Sequence, residues 1–211
     1  MHTSEQVKNI LIKVGAVIQN GHFVGTSGRH MSVYVNKDYL LPHTAETFLL
    51  TRFLAEQNQK LDVEVVASPV VGGVILGHLT AYHLSQLRQQ EILSVYADKT
   101  DAGPLTFKRG YDELVKGKKV LIIEDTVATG LSVRKMIDAV KEFGGEVQGM
   151  SVIVNRVPAK INSGTLGVPF SALCDLPAET FEAKDCPLCA KGIPVNVKIG
   201  HGKQFLAQQQ K

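Results

Sequence analysis

"KKVLIIEDTVATGLSV", Lys118 to Val133, carries an unbroken apolar run that ends on two adjacent acids, Glu124 and Asp125. A turn of small and hydroxylated residues follows, and then Ser132 to Phe143 reads as a helix. A branched apolar run without polar alternation suits a strand covered on both faces. Working outward, the same unit recurs. "VEVVASPV" (Val63–Val70) and "EILSVYA" (Glu91–Ala97) read as buried strands, and "EVQGMSVIVN" (Glu146–Asn155) as another. Helical segments lie between them, including the stretch that follows Val70 as far as Leu87. Strands alternating with crossover helices predict an α/β fold, a doubly wound parallel sheet.

Toward the N-terminus, apolar residues at helical spacing predict a helix over Glu5–Gln19, closed by Asn20–His22. Phe23–Asn36 has the glycine punctuation and β-branched residues of a hairpin, and a second helix starts near Thr44 and runs to about Lys60. Asp175–Lys211 reads as irregular, with a frayed Gln-rich end. The expectation is one domain over 1–211, its core at about 60–160 and a small hood from about 1–45 and 170–205.

Composition narrows the classes. At 44% hydrophobic and 20% charged the chain is of ordinary globular type. A net charge of +3, with no basic block longer than a pair, argues against a nucleic-acid partner. No apolar run approaches the roughly 20 residues that span a bilayer, and no signal peptide is visible, so no membrane partner is expected. Three cysteines cannot all pair, which fits a reducing cytoplasm.

In an open parallel sheet, ligands bind beyond the carboxyl ends of the strands, where helix N-termini present free N–H groups. The turn Thr126, Val127, Ala128, Thr129, Gly130, Leu131, Ser132 has that position. Its small residues let backbone amides approach an anion, so a phosphate suits it. Glu124 and Asp125 would repel the same phosphate and call for another partner, a ribose cis-diol or a hydrated Mg²⁺. Together they ask for a sugar phosphate. The competing reading is an acidic pair that leaves the strand into solvent.

Strand, acid pair, Thr/Gly turn and helix resemble the phosphoribosyl pyrophosphate (PRPP) motif of type I phosphoribosyltransferases, with Thr126 where an aliphatic residue is usual. The wider chain resembles the orotate phosphoribosyltransferases, particularly a bacterial branch with a terminal "CPLC". The likeness runs through "GHFVGTSGRH", "FKRGYDELVKGKKVLIIEDTVATG" and "CPLCAKGIPVN". It implies Mg²⁺ carried by PRPP, with no metal held directly by the protein, and a homodimer. Orotate would be the acceptor, with a purine enzyme or a non-catalytic PRPP-binding regulator as alternatives.

The resemblance also distributes roles. Glu124, Asp125 and Lys99 would be catalytic. Val70, Val71, Gly72 and Gly73 would hold pyrophosphate through backbone amides. That second turn can equally be a tight strand–helix junction. Ala97–Gly110 would be a mobile lid, with Lys99, Lys108 and Arg109 supplying cations. A solvated surface loop is the plainer reading. Arg156, Thr26, Tyr34 and Ala128 would meet the base, a guanidinium fork suiting a carboxylated pyrimidine. "CPLC" reads as a folded knuckle; a zinc site would need Cys174 and perhaps His201 as further ligands. His78 and His83, five apart on a helix, read as structural.

Overall fold

The computed structural model describes residues 2–25, 27–100, 103–177 and 179–209. α1 (Ser4–Lys13) opens on a reciprocal cap: the Thr3 side chain accepts from the Gln6 amide, and the Gln6 side chain accepts from that of Thr3. It stops well before Gln19, because Gly15 turns the chain at φ +73°. The apolar residues beyond belong to β1 (Val17–Ile18). Then come β2 (Phe23–Val24), β3 (His30–Met31) and β4 (Tyr34–Val35). β2 and β3 form the expected antiparallel pair, whereas β4 leaves it to pair with β1.

α2 (Thr44–Asn58), β5 (Val65–Pro69), α3 (Gly72–Arg88) and β6 (Leu93–Lys99) follow the sequence reading closely. β7 (Leu105–Phe107) does not: part of the expected loop is a strand, paired antiparallel with β6. After α4 (Tyr111–Val115) come β8 (Lys119–Val127), α5 (Leu131–Glu142), β9 (Glu146–Asn155), α6 (Ser163–Leu166) and β10 (Phe170–Asp175). The last part holds β11 (Thr180–Phe181), α7 (Pro187–Ala190) and α8 (Gly202–Gln209), so it is more regular than its composition suggested. α8 continues through the Gln-rich stretch to Gln209.

The central sheet has the order β10-β9-β8-β5-β6-β7, parallel except for β7. β10 closes its far edge, so residues 170–175 belong to this sheet. The apolar strands explain the double winding. In β8, Val120 and Ile122 enter a core with α5, while Leu121 and Ile123 enter a second core with α1, α2 and α3. β5 divides likewise, with Val65 and Ala67 on one side and Val66 on the other. Neither face can be left wet, and helices cover both. A smaller antiparallel sheet, β11-β3-β2, joins N- and C-terminal segments. Among the described residues no helix is long and apolar enough to cross a membrane.

Ile122→Ala, at a fully buried position of the central strand, is expected to cost about 2–5 kcal/mol in urea unfolding. Ile12→Ala, on the exposed side of α1, should change stability by roughly 0.5 kcal/mol or less. Equal losses at both positions would contradict this assignment of the core.

Candidate active site

The carboxyl ends of β5, β6 and β8 surround a cavity of about 450 Å³. Pro69, Val70 and Gly72 line it from one segment, Lys99, Thr100, Gly103 and Leu105 from another, and Glu124, Asp125 and Thr126 from β8; Leu131, Ser132 and Lys135 enter from α5. The strand runs further than the sequence suggested. Thr126 and Val127 are still paired with β9, so the turn proper is residues 128–130. The Val127 side chain is buried in the core, away from the cavity.

Gly130 makes the turn at φ +81°, and a Cβ there would lie 2.4 Å from Ile161 Cδ1. Both conformation and space therefore demand glycine. Thr129 Oγ1 accepts a 3.4 Å hydrogen bond from the Leu131 amide at the start of α5. The remaining first-turn amides of a helix have no intrahelical partner, and the helix dipole favours an anion there. α3 begins beside it, so two helix N-termini meet the cavity through Gly72 and through Leu131 and Ser132.

Glu124 is only 8% exposed, and Asp125 beside it has a side chain 14% exposed. Glu124 Oε1 turns back to accept from the Asp125 amide at 3.0 Å. Burial, and then the Asp125 charge, push the Glu124 carboxyl up to about 8. Burial also raises Asp125, against the opposing pull of Lys37.

Lys37, outside the expected set, lies in a short 3-10 turn, with Nζ 3.4 Å from Asp125 Oδ2. The Asp125 charge raises its ammonium above the ordinary lysine value, outweighing its own partial burial. Its side chain crosses Gly72, where a Cβ would lie 2.5 Å from Lys37 Cε and 3.0 Å from Asp125 Oδ2. Gly72 is therefore a glycine of the site. Gly73 is a glycine of packing, its missing Cβ only 3.0 Å from Pro69 Cδ. Val71 projects into solvent, 80% exposed.

Of the expected lid cations, Lys99 lines the cavity. Arg109 pairs instead with Asp98 and lies 5.6 Å from the Tyr96 ring centre. Lys108 is exposed and does not line the cavity. Lys135 was not anticipated; it lines the cavity and donates from Nζ to the Gly103 carbonyl at 2.7 Å. It stands one helical turn from Ser132, a spacing readable in the sequence. Nothing in the sequence ties Lys37 to an acid 88 positions later. The lid residues Asp101 and Ala102, and the base-contact candidate Thr26, lie outside the described residues.

Arg156 follows β9, its amide bonded to the Val127 carbonyl at 2.9 Å, beside the 128–130 turn that carries Ala128. It is 9% exposed. Nη2 donates to the Val33 carbonyl at 3.1 Å and lies 3.2 Å from Met31 Sδ. Nε is buried without a partner, and among the described residues no carboxylate pairs with the guanidinium. Burial lowers its pKa, opposed by nearby Tyr34, which is half-buried and packs on Phe23. The two histidines of α3 differ: His83 bonds the Phe48 carbonyl at 3.1 Å, fastening α3 to α2, while His78 is exposed.

Comparison with known proteins gives a consistent picture. The family described as "Phosphoribosyl transferase domain" matches residues 37–163. The chain is 38% identical over 201 residues to the orotate phosphoribosyltransferase of Caldanaerobacter subterraneus subsp. tengcongensis, covering 94% of this chain and 98% of that protein. It is 37% identical over 189 residues to the same enzyme of Thermotoga maritima, covering 89% and 94%. In fold it is similar to the orotate phosphoribosyltransferase of Mycobacterium tuberculosis H37Rv solved with Fe(III) dicitrate. That match has a TM-score of 0.65 and 21% identity, over 82% of this chain and 96% of the other.

Because Glu124 holds its proton more tightly folded than unfolded, stability falls as pH rises from the ordinary carboxyl range to about 8. Glu124→Gln removes that loss. Its Tm should match that of the wild type near pH 5 and exceed it by several degrees at pH 8.5. Parallel Tm–pH curves for the two proteins would contradict the buried, proton-retaining carboxyl.

Proposed function

The chain belongs to the phosphoribosyltransferase family, and we propose that it transfers the 5-phosphoribosyl group of PRPP to orotate. The products are orotidine 5′-phosphate and pyrophosphate, the reaction in the name its curated relatives share. One observation carries the choice of acceptor: Arg156 is a buried guanidinium with an unbonded Nε and no carboxylate partner among the described residues. An unpaired buried charge is costly, and a planar carboxylate is the ligand that repays it with parallel hydrogen bonds. Orotate brings one. Tyr34 and Ala128 would flank its ring.

The 5′-phosphate would sit on the amides of the 128–132 turn at the start of α5, with the Ser132 hydroxyl alongside. Glu124 and Asp125 would accept hydrogen bonds from the ribose hydroxyls, which fixes the sugar ring. Pyrophosphate would lie toward Val70–Gly73. As the C1–O bond breaks and a ring nitrogen of orotate forms the new C1–N bond, its N–H proton passes to the departing pyrophosphate or to water; positive charge passes through the ribose and negative charge collects on the leaving oxygens. Lys37, Lys99 and Lys135 stand where they would neutralise that negative charge. No covalent nucleophile is needed. The carboxylates of Glu124 and Asp125 are oxygen donors of the kind that suits the water shell of a PRPP-borne Mg²⁺. Such an ion supplies further charge neutralisation on the pyrophosphate.

We read Ala97–Gly110 as a lid whose Lys108 and Arg109 turn inward on closure, keeping water from the activated sugar. One domain is the organisation this reading uses, with residues about 60–160 and the edge strand β10 as core, and about 1–45 and the segment after β10 to about 205 as hood. A homodimer fits the exposed Phe48 and Tyr82, whose rings lie 6.4 Å apart across α2 and α3. Three free thiols fit the cytoplasm.

Absorbance assays with Mg-PRPP should show consumption of orotate and not of adenine, guanine, hypoxanthine or uracil. Turnover of another base alone would overturn the acceptor assignment, and PRPP binding without turnover would make the protein a sensor. Arg156→Leu should reduce kcat/KM for orotate by roughly 30-fold or more, with Tm unchanged or raised. A large fall in Tm would instead make Arg156 a structural residue. Asp125→Asn should weaken PRPP binding and turnover while the protein remains folded.

A further inference from the structure

We propose that His22, His30, Cys186 and Cys189 form a tetrahedral, structural Zn²⁺ site that clamps the N-terminal hairpin to the C-terminal segment. One ligand atom from each residue lies within 4.8 Å of all the others. Cys189 Sγ is 3.3 Å from His30 Nδ1 and 3.7 Å from His22 Nε2, and Cys186 Sγ is 3.7 Å from His22 Nε2. With Zn–N near 2.0 Å and Zn–S near 2.3 Å, a tetrahedral site has N···S edges of about 3.6 Å. Those three distances straddle that value. The two ring nitrogens, 2.7 Å apart, would separate to about 3.4 Å as an ion enters.

Further features of the group suit an ion. His22 Nδ1 lies 2.7 Å from the Ile193 carbonyl, which can only accept, so His22 carries its proton there. Its Nε2 is left as a bare lone pair facing the cluster, the outer-sphere arrangement usual for metal-bound imidazole. Without a metal, His30 Nδ1 must donate to that lone pair, and a neutral His30 then leaves Nε2 as a buried acceptor with no donor. With a metal, both facing nitrogens give their lone pairs to the ion and His30 Nε2 keeps the proton; the imidazole packs edge-on against Phe205, ring centroids 4.6 Å apart. Two thiolates and two imidazoles are a soft donor set that selects zinc over Mg²⁺ or Ca²⁺. They also neutralise a dication in a place where three of the four residues are buried. Exposed Cys189 gives an entry path.

Four protein ligands leave no open position, which marks the site as structural and not catalytic. Its place in the fold says what it would hold. His22 precedes β2 and His30 opens β3, while Cys186 caps the N-terminus of α7 and Cys189 lies within it. The next residue after His30, Met31, touches Arg156. Arg29, just before it, holds Thr180 through Nε at 2.8 Å and Nη2 at 2.7 Å. Cys174 is buried in the β9–β10 core and takes no part, so the further ligands anticipated for "CPLC" are replaced by two histidines more than 150 residues away.

Full-length protein purified without added metal should contain close to one zinc per chain by mass spectrometry. Co²⁺ exchanged into it should give thiolate-to-cobalt charge-transfer and tetrahedral d–d bands. Cys186→Ser and Cys189→Ser should lose the charge-transfer intensity and the bound zinc. Removing the metal with a chelator should lower Tm by roughly 5–15 °C. Wild-type protein that lacks zinc, and gives neither cobalt bands nor a Tm shift on metal titration, would overturn the site. So would zinc retained in full by both folded serine variants. Because metal content and spectra are read without substrate, the outcome does not depend on the proposed reaction.

Discussion

Lys37 reaches across Gly72 to Asp125, and this ion pair sets the terms for the cavity around it. Two adjacent carboxylates are buried at the end of β8, and one partly exposed ammonium meets them. Burial, and then the Asp125 charge beside it, leave Glu124 holding its proton to about pH 8 despite the nearby ammonium. A fold optimised only for stability would place an apolar residue there. Keeping the acids is the kind of local cost that functional sites carry. It is offset by the fully apolar strands on either side, whose alternate residues anchor two separate cores.

The opposite imbalance sits a short distance along the sheet edge. Arg156 is a buried cation at the end of β9, the strand paired with β8. A buried acid pair with raised pKa values on one strand, and a guanidinium with an unbonded Nε on the next, would suit a ligand of mixed character: hydroxyl donors at one end, a carboxylate at the other. A ribose joined to a carboxylated base has that pattern. The N-terminal segment supplies the guanidinium's contacts, since Met31 Sδ and the Val33 carbonyl hold Nη2 of Arg156 in place. Whatever secures the hairpin therefore also fixes the guanidinium of Arg156.

Much of this was readable in the sequence, for local reasons. Unbroken apolar runs at Val120–Ile123 and Val65–Ala67 can only be doubly covered strands, and the Gly130 turn follows from adjacent residues. Boundaries failed where a long-range pairing decided them. Val17 and Ile18 continue a helical pattern but pair with β4, and Leu105–Phe107 look like loop but complete the sheet against β6. Lys37 was illegible because no spacing relates it to Asp125. The cysteine knuckle was half legible: "CPLC" announces two ligands, but the histidines come from the other end of the chain. Their approach depends on β11 pairing with β3, a tertiary event that periodicity does not encode.

On the proposed function, ribose hydroxyls reach the buried acidic pair of β8 and take the place of the proton that Glu124 retains. Calorimetric titration with Mg-PRPP at pH 7, in buffers of different ionisation enthalpy, measures the protons exchanged on binding. Hydroxyl donors favour the ionised carboxylate, so the wild type should release more protons than Glu124→Gln, by a fraction of one approaching unity. Equal proton release from the two proteins, with PRPP bound by both, would contradict the account.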